Sequence, residues 1–205
     1  MSSDNLDLAT AAQRRTLWIV LGLNLLLAVA FLATGVIADS SALIANGLDN
    51  SSDSVVYVIS LFALTRPPSW KRVAARVSGT LLLLFAAGVL YDVWRRFNEG
   101  TEPLGNTMIV MAVVAAIVNF ACLRLLQRLR EPDVNLRAAR TFSANDFIAN
   151  AGILVAGGLV LWTGQAWPDL VVGVAVAAIA VKGGIDILRD AQSDGDENPS
   201  PRREE

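Results

Sequence analysis

The chain has 205 residues, no histidine and a single cysteine. The first absence removes the commonest zinc ligand and the usual switch near neutral pH. The second excludes an internal disulfide, and Cys122, set in an apolar block, reads as a small packing residue. Charge is also scarce. Asp, Glu, Lys and Arg make up 18% of the chain and the net charge is −2. That balance lacks the basic footprint of a nucleic-acid binder. Residues 1–15 are acidic before they are basic and carry no apolar core, so they do not read as a cleavable signal peptide.

Apolar residues are abundant. They form 54% of the sequence, and the mean hydropathy is +0.48. They fall in blocks close to the roughly 20 residues that cross a bilayer as a helix. The expected fold is an all-α membrane protein, a bundle of six transmembrane helices. The predicted spans are 16–38, 41–64, 73–94, 107–129, 139–162 and 168–188. The domain reading is a cytoplasmic segment 1–15, a membrane domain 16–190 and a disordered cytoplasmic tail 191–205. The second loop, 66–72, holds Pro67 and Pro68, read as helix stops.

Basic residues set the orientation. Arg14, Arg15, Arg66, Lys71, Arg72, Arg76, Arg124, Arg128, Arg130, Arg137, Arg140, Lys182, Arg189, Arg202 and Arg203 fall on one side, whereas Arg95 and Arg96 lie on the other. The positive-inside rule then puts both termini in the cytoplasm. Trp18, Trp70, Trp94, Trp162 and Trp167 fall at predicted span edges, as an interfacial belt would.

Polar residues inside the spans carry the chemistry. Asp49 and Asp53 are one helical turn apart in the second span, and Asp146 lies in the fifth. At 1.5 Å per residue, Asp49 is about 14 Å and Asp53 about 20 Å below the outer edge. Asp146 is about 18 Å below it in a core roughly 30 Å thick. The three acids are thus expected at one level near the midplane. Carboxylates at that depth are costly and mark ion or substrate paths. Crowded in low dielectric, they need a cation between them or a proton on one of them. Asn46, Asn50 and Ser52 accompany the first two, and Ser143, Asn145 and Asn150 accompany Asp146. Each of these amides and hydroxyls also has a plainer reading as interhelical hydrogen-bonding glue.

Three carboxylates supply three of the roughly four ligands a zinc ion takes. Asn150, Asn46, Asn145 or water would supply the fourth. An all-oxygen set also suits manganese and related divalent ions. Metal binding favours the deprotonated acids, so metal and protons compete for one site. Moving one charge across 100 mV is worth about 2.3 kcal/mol. Exporting a divalent cation from a negative interior therefore calls for inward protons. The expected cargo is Zn2+, with Cd2+, Mn2+, Co2+ and Fe2+ as alternatives, and no permanently bound cofactor is expected.

The motifs resemble those of the cation diffusion facilitator family over about residues 24–191. Ala38-Asp-Ser-Ser-Ala-Leu-Ile-Ala-Asn-Gly-Leu-Asp-Asn-Ser-Ser-Asp53 resembles the family's His/Asp-x-x-x-Asp motif, with Asp49 and Asp53 at ligand positions. Asn145-Asp-Phe-Ile-Ala-Asn-Ala-Gly152, Trp162-Thr-Gly164 and Trp167-Pro-Asp-Leu170 resemble its fifth helix and sixth-helix entry, with Asp146 as a ligand. Asn24, Tyr91-Asp-Val-Trp-Arg95 and Asn119 fit as well. The resemblance implies a proton-coupled divalent-cation exporter of the cytoplasmic (inner) membrane, in contact with lipid and not an enzyme. It also implies a homodimer.

The departures from the pattern are informative. Phe142 stands where the family commonly has a fourth ligand, and 66–76 holds no acid for an accessory metal site. No cytoplasmic metal-binding domain is expected after the sixth helix, so dimerisation would run through the transmembrane helices. The acidic run 194–197 reads as a solvated tail. Two other classes stay open here. One is a transport-inactive scaffold partnering another transporter. The other is an intramembrane aspartyl enzyme, although no span carries the Gly-x-Gly-Asp pattern of such enzymes.

Overall fold

The computed structural model describes residues 3–63, 68–127 and 134–196, with side-chain detail for 14–55, 58, 61, 73, 76–127 and 146–189. Six helices follow in order: α1 Ser3–Ile37, α2 Ser41–Ala63, α3 Pro68–Glu99, α4 Gly105–Gln127, α5 Val134–Thr163 and α6 Trp167–Asp196. The predicted six-helix count is borne out, and no strand occurs among the described residues. Five helices are long and apolar enough to cross a membrane: stretches Arg14–Ile37, Arg76–Glu99, Gly105–Gln127, Asp146–Thr163 and Trp167–Arg189. The remaining helix, α2, carries Asn46, Asp49, Asn50, Ser51, Ser52, Asp53 and Ser54. Such a helix is stable at bilayer depth only where neighbours shield its polar stripe.

Several boundaries differ from expectation. The segment 1–15 joins α1 from Ser3. Pro68 opens α3 rather than ending a helix, because a proline at the first helical position lacks only an amide that would be unbonded anyway. The tail expected to be unstructured from 191 continues α6 to Asp196, since Ala191, Gln192 and Ser193 hold no breaker before Gly195.

α1, α3 and α5 end at the same side of the bundle, each at a left-handed residue. These are Asp39 (φ 51°), Gly100 (φ 88°) and Gly164 (φ 64°). Aspartate tolerates this conformation through its short polar side chain. Here it turns the chain into α2 within two residues.

α1, α2, α5 and α4 close a ring, each packed on the next, and α3 and α6 pair against α2 on one flank. Close approaches fix both pairings. A Cβ on Gly105 would lie 2.7 Å from the Gly157 carbonyl oxygen, and one on Gly184 would lie 3.0 Å from that of Gly79. Gly157 and Gly173 also meet a neighbouring helix, whereas Gly158 has nothing within 4 Å. Ala177 is buried with Ala45 and Val89. Trp18, Trp94, Trp162 and Trp167 all face outward, as interfacial tryptophans do. Trp70 lies outside the residues with described side chains.

The ring core is split. One apolar cluster holds Leu27, Phe31, Leu43, Met108 and Ile153, and a second holds Leu17, Val20, Leu21, Cys122 and Leu126. Cys122 is buried in the second, in line with its packing role. The polar residues occupy the break between the two clusters.

Candidate metal site

α2 and α5 are held in register by one polar contact. Asn46 Nδ2 donates to Asn150 Oδ1 at 3.0 Å. Both residues are fully enclosed, at 0% and 1% exposure. Stepping one helical turn along this antiparallel pair brings Asp146 opposite Asn50. Asp146 therefore stands between the levels of Asp49 and Asp53. That register sets Asp146 level with the two acids of α2.

The three acids lie within electrostatic range of one another. Asp53 and Asp146 are buried at 7% and 2% exposure. Asp53 lies within electrostatic range of Asp146 and of Asp49. Asp49, which acts electrostatically on Asp146 as well, also lines a small hollow with Leu82 and Phe85 of α3 and Val176 and Ala180 of α6. It sits on the seam between the ring and the α3–α6 pair. Among the described residues, no three His, Cys, Asp or Glu side chains are drawn together tightly enough to hold one ion. Neither Asp53 nor Asp146 has a basic partner among the described residues. Of the amides expected to assist, Asn46 and Asn150 bond each other, while the side chain of Asn145 lies outside the described residues.

Four more buried groups surround this centre. Asn50 donates Nδ2 to the Asn46 carbonyl at 2.9 Å, and Asn24 donates Nδ2 to the Val20 carbonyl at 3.0 Å. Ser54 donates to the Asn50 carbonyl at 2.8 Å. Asn119 of α4 is buried with both amide atoms unpaired. Asn24 and Asn119 had entered the sequence reading only through family likeness. Their signal was a lone amide in an otherwise apolar span.

A second polar assembly, which sequence reasoning missed, ties the start of α2 and of α6 to the end of α3. Asp169 of α6, with 0% exposure, accepts from the Ser41 amide at 2.7 Å, the Ala42 amide at 3.2 Å and the Ser40 hydroxyl. It satisfies first-turn amides that a helix leaves unbonded. Ser41 donates its hydroxyl to Asp92 of α3 at 2.8 Å. Asp92 accepts from Arg96 Nε at 2.7 Å, and Arg96 also pairs with Asp39. Thr101 donates to Asp39 Oδ2 at 2.7 Å and the Glu102 amide does so at 3.2 Å. Burial pushes the Asp39 carboxyl up, but Thr101, the Glu102 amide and Arg96 outweigh it and hold the group below the usual carboxylate range. The available signal was an Asp-Ser-Ser turn between two apolar runs, which marks a helix start.

A helical bundle with a buried acid–amide centre, without a basic partner among the described residues, defines a multi-pass membrane protein of transport type. The chain belongs to the cation efflux transmembrane domain family, which matches residues 17–194. The resemblance to the cation diffusion facilitators is thereby borne out, and the family is one of transporters rather than enzymes. The chain is 26% identical over 199 residues to the metal cation efflux system protein CzcD of Cupriavidus metallidurans, covering 88% of this chain and 63% of that protein. It is 24% identical to the zinc transporter ZitB of Escherichia coli over 77% of this chain and 54% of that protein. It is 22% identical to the cadmium, cobalt and zinc/H(+)-K(+) antiporter of Bacillus subtilis over 77% of this chain and 55% of that protein. The chain thus spans a little over half of the length of these relatives.

Proposed function

We propose that this chain exports divalent transition-metal cations, zinc foremost, from the cytoplasm across the inner membrane in exchange for protons. Asp53 and Asp146 hold the ion, joined by Asp49 when the seam between the ring and the α3–α6 pair shifts. Asn46, Asn150 and Asn145 support them. The observation that carries the reading is the pair of enclosed carboxylates on adjacent helices with no basic partner among the described residues. A buried carboxylate pair of this kind is stable only with a cation or a proton. Exchanging one for the other is the elementary step of antiport. Alternating access then follows from movement of the α3–α6 pair against the ring, opening the site to each side in turn. Both termini lie in the cytoplasm, and the protein pairs with a second copy through its helices.

The relatives' names support metal efflux, and one names cadmium, cobalt and zinc together with protons. The deciding experiment is uptake into proteoliposomes under an imposed pH gradient with zinc, cadmium, cobalt, manganese or iron(II). Asp53→Ala and Asp146→Ala run beside the parent. Gradient-driven flux of at least one metal, lost in both variants, is the expected result. Absence of flux for every metal, with stable protein, would leave a scaffold as the better reading.

A further inference from the structure

Asn24, Asn50 and Asn119 share a feature that packing does not require. In Asn24 and Asn50 the amide nitrogen donates to the backbone carbonyl four residues earlier on the same helix. A carbonyl only accepts, so each amide orientation is fixed by chemistry. The atom left free in both is the side-chain oxygen. Asn119, 1% exposed, has neither amide atom bonded. Interhelical glue works by pairing across helices, as Asn46 and Asn150 do. Among the described residues, these three pair with nothing across the bundle.

Their level follows from helix register. In the α4–α5 pair, Gly105 abuts Gly157 and Leu161, and Ala116 and Asn150 line one hollow. Continuing that antiparallel register one turn places Asn119 opposite Asp146. In the α1–α4 pair, the Leu104 amide donates to the Ala38 carbonyl at 2.9 Å, and Cys122 packs among Leu17, Val20 and Leu21. Asn24 and Asn119 fall together between those two points. In the α1–α2 pair, Gly35 abuts Ile44 and Gly47 abuts Leu32, which carries Asn24 to the level of Ser54, beside Asp53. Each helix of the ring therefore brings a polar residue to one layer: Asn24, Asp53, Asn119 and Asp146.

The unbonded atoms in the centre are unbalanced. Four are side-chain oxygens, of Asn24, Asn46, Asn50 and Asn119, and two are amide nitrogens, of Asn119 and Asn150. An acceptor surplus around two acids suits an occupant that offers positive charge. Phe142 cannot coordinate an ion, so the site needs donors from elsewhere. Neutral amide oxygens beside carboxylates suit hard to borderline divalent cations.

We propose that Asn24 and Asn119, from α1 and α4, are ligand residues of the transport site, their side-chain oxygens completing with Asn50 the coordination that Asp53 and Asp146 begin. This rests on the reading of the acids as the ion site. It assigns two of the five ligand residues to helices that contribute no acid.

The test uses the full chain in nanodiscs, with Cys122→Ser as background and cobalt(II) as the probe. Asn119→Cys introduces a sulfur donor on α4 at the proposed layer. A new thiolate-to-cobalt charge-transfer band in the near ultraviolet is expected. Asn24→Leu and Asn119→Leu should each weaken cobalt binding about tenfold or more, equivalent to about 1.4 kcal/mol. Bound cobalt with no sulfur band in Asn119→Cys would overturn the proposal. So would parent-like affinity in both leucine variants while Asp146→Ala binds nothing. If the leucine variants fail to fold, the presence or absence of the sulfur band decides alone. A background protein that binds no divalent metal would overturn the transport reading together with this one, which separates the two failures.

Discussion

Asn46 on α2 and Asn150 on α5 are joined by a 3.0 Å hydrogen bond that sets the height of Asp146 relative to Asp49 and Asp53. Residues 104 positions apart thereby fix the geometry of the acidic centre. A double-mutant cycle of Asn46→Ala and Asn150→Ala should give a coupling of roughly 0.6–1.7 kcal/mol, the range found for such bonds within membranes. Each single change also frees a partner in an enclosed site, so the singles should each lower the thermal midpoint in detergent. Additive singles, with coupling near zero, would remove the bond from any role in register.

The glycines supply a neighbour test. A Cβ on Gly157 would meet the Gly105 carbonyl oxygen, Met108 Cβ and Ile109 Cγ1, all at 3.0 Å. Gly158, next in the chain, has nothing within 4 Å. Gly157→Ala should therefore cost about 1–3 kcal/mol by forcing α4 and α5 apart. Gly158→Ala should be neutral or gain up to about 1 kcal/mol from reduced chain freedom. Equal effects in both would mean that this helix pair does not pack through Gly157.

How much of this was legible beforehand depends on the distance over which the signal acts. The polar stripe of α2 is local, and helical spacing alone aligned Asp49 with Asp53. The common depth of Asp146 followed from rise per residue. The rotation of Asp49 toward α3 and α6 did not, because it depends on which helix packs on which side of α2. Asp169 reads in sequence as an ordinary first-turn acid of α6. Its partners are Ser40, Ser41 and Ala42, well over one hundred residues away, and no periodicity encodes that contact. Gly157 and Gly158 are identical in type and differ only by rotation on one helix. The continuation of α6 past 190 was masked by charge, since charged residues suit a helix that has left the membrane as well as they suit coil.

Asp169 offers a direct measure of this second assembly. It accepts three donors at the start of α2 and is fully enclosed. Asp169→Ala leaves two amides and a hydroxyl without that acceptor, at a cost of about 1–3 kcal/mol. Asp169→Asn keeps one acceptor oxygen but turns an NH2 toward donors, so it should fall between parent and alanine. Thermal unfolding in one detergent, followed by helical circular dichroism, orders the three. Parent-like stability of the alanine variant would show that α2 needs no cap from α6.

Asp39 predicts a pH dependence outside the membrane. Against the upward push of burial, Thr101, the Glu102 amide and Arg96 hold its folded-state value below the ordinary carboxylate value of 3.8. A depressed acid contributes stability that is complete above its unfolded value and lost as pH falls through the folded one. The window therefore opens near pH 4 and extends downward. The Asp39 side chain is 48% exposed, so solvent screening keeps the contribution small. Asp39→Asn should melt below the parent at pH 6 to 7, and the two should converge below about pH 4, where the parent carboxylate begins to protonate. The left-handed backbone at this position is open to asparagine as well, so the substitution removes charge without forcing the turn. A difference that persists unchanged into acid would assign the loss to the turn rather than to the ion pair with Arg96.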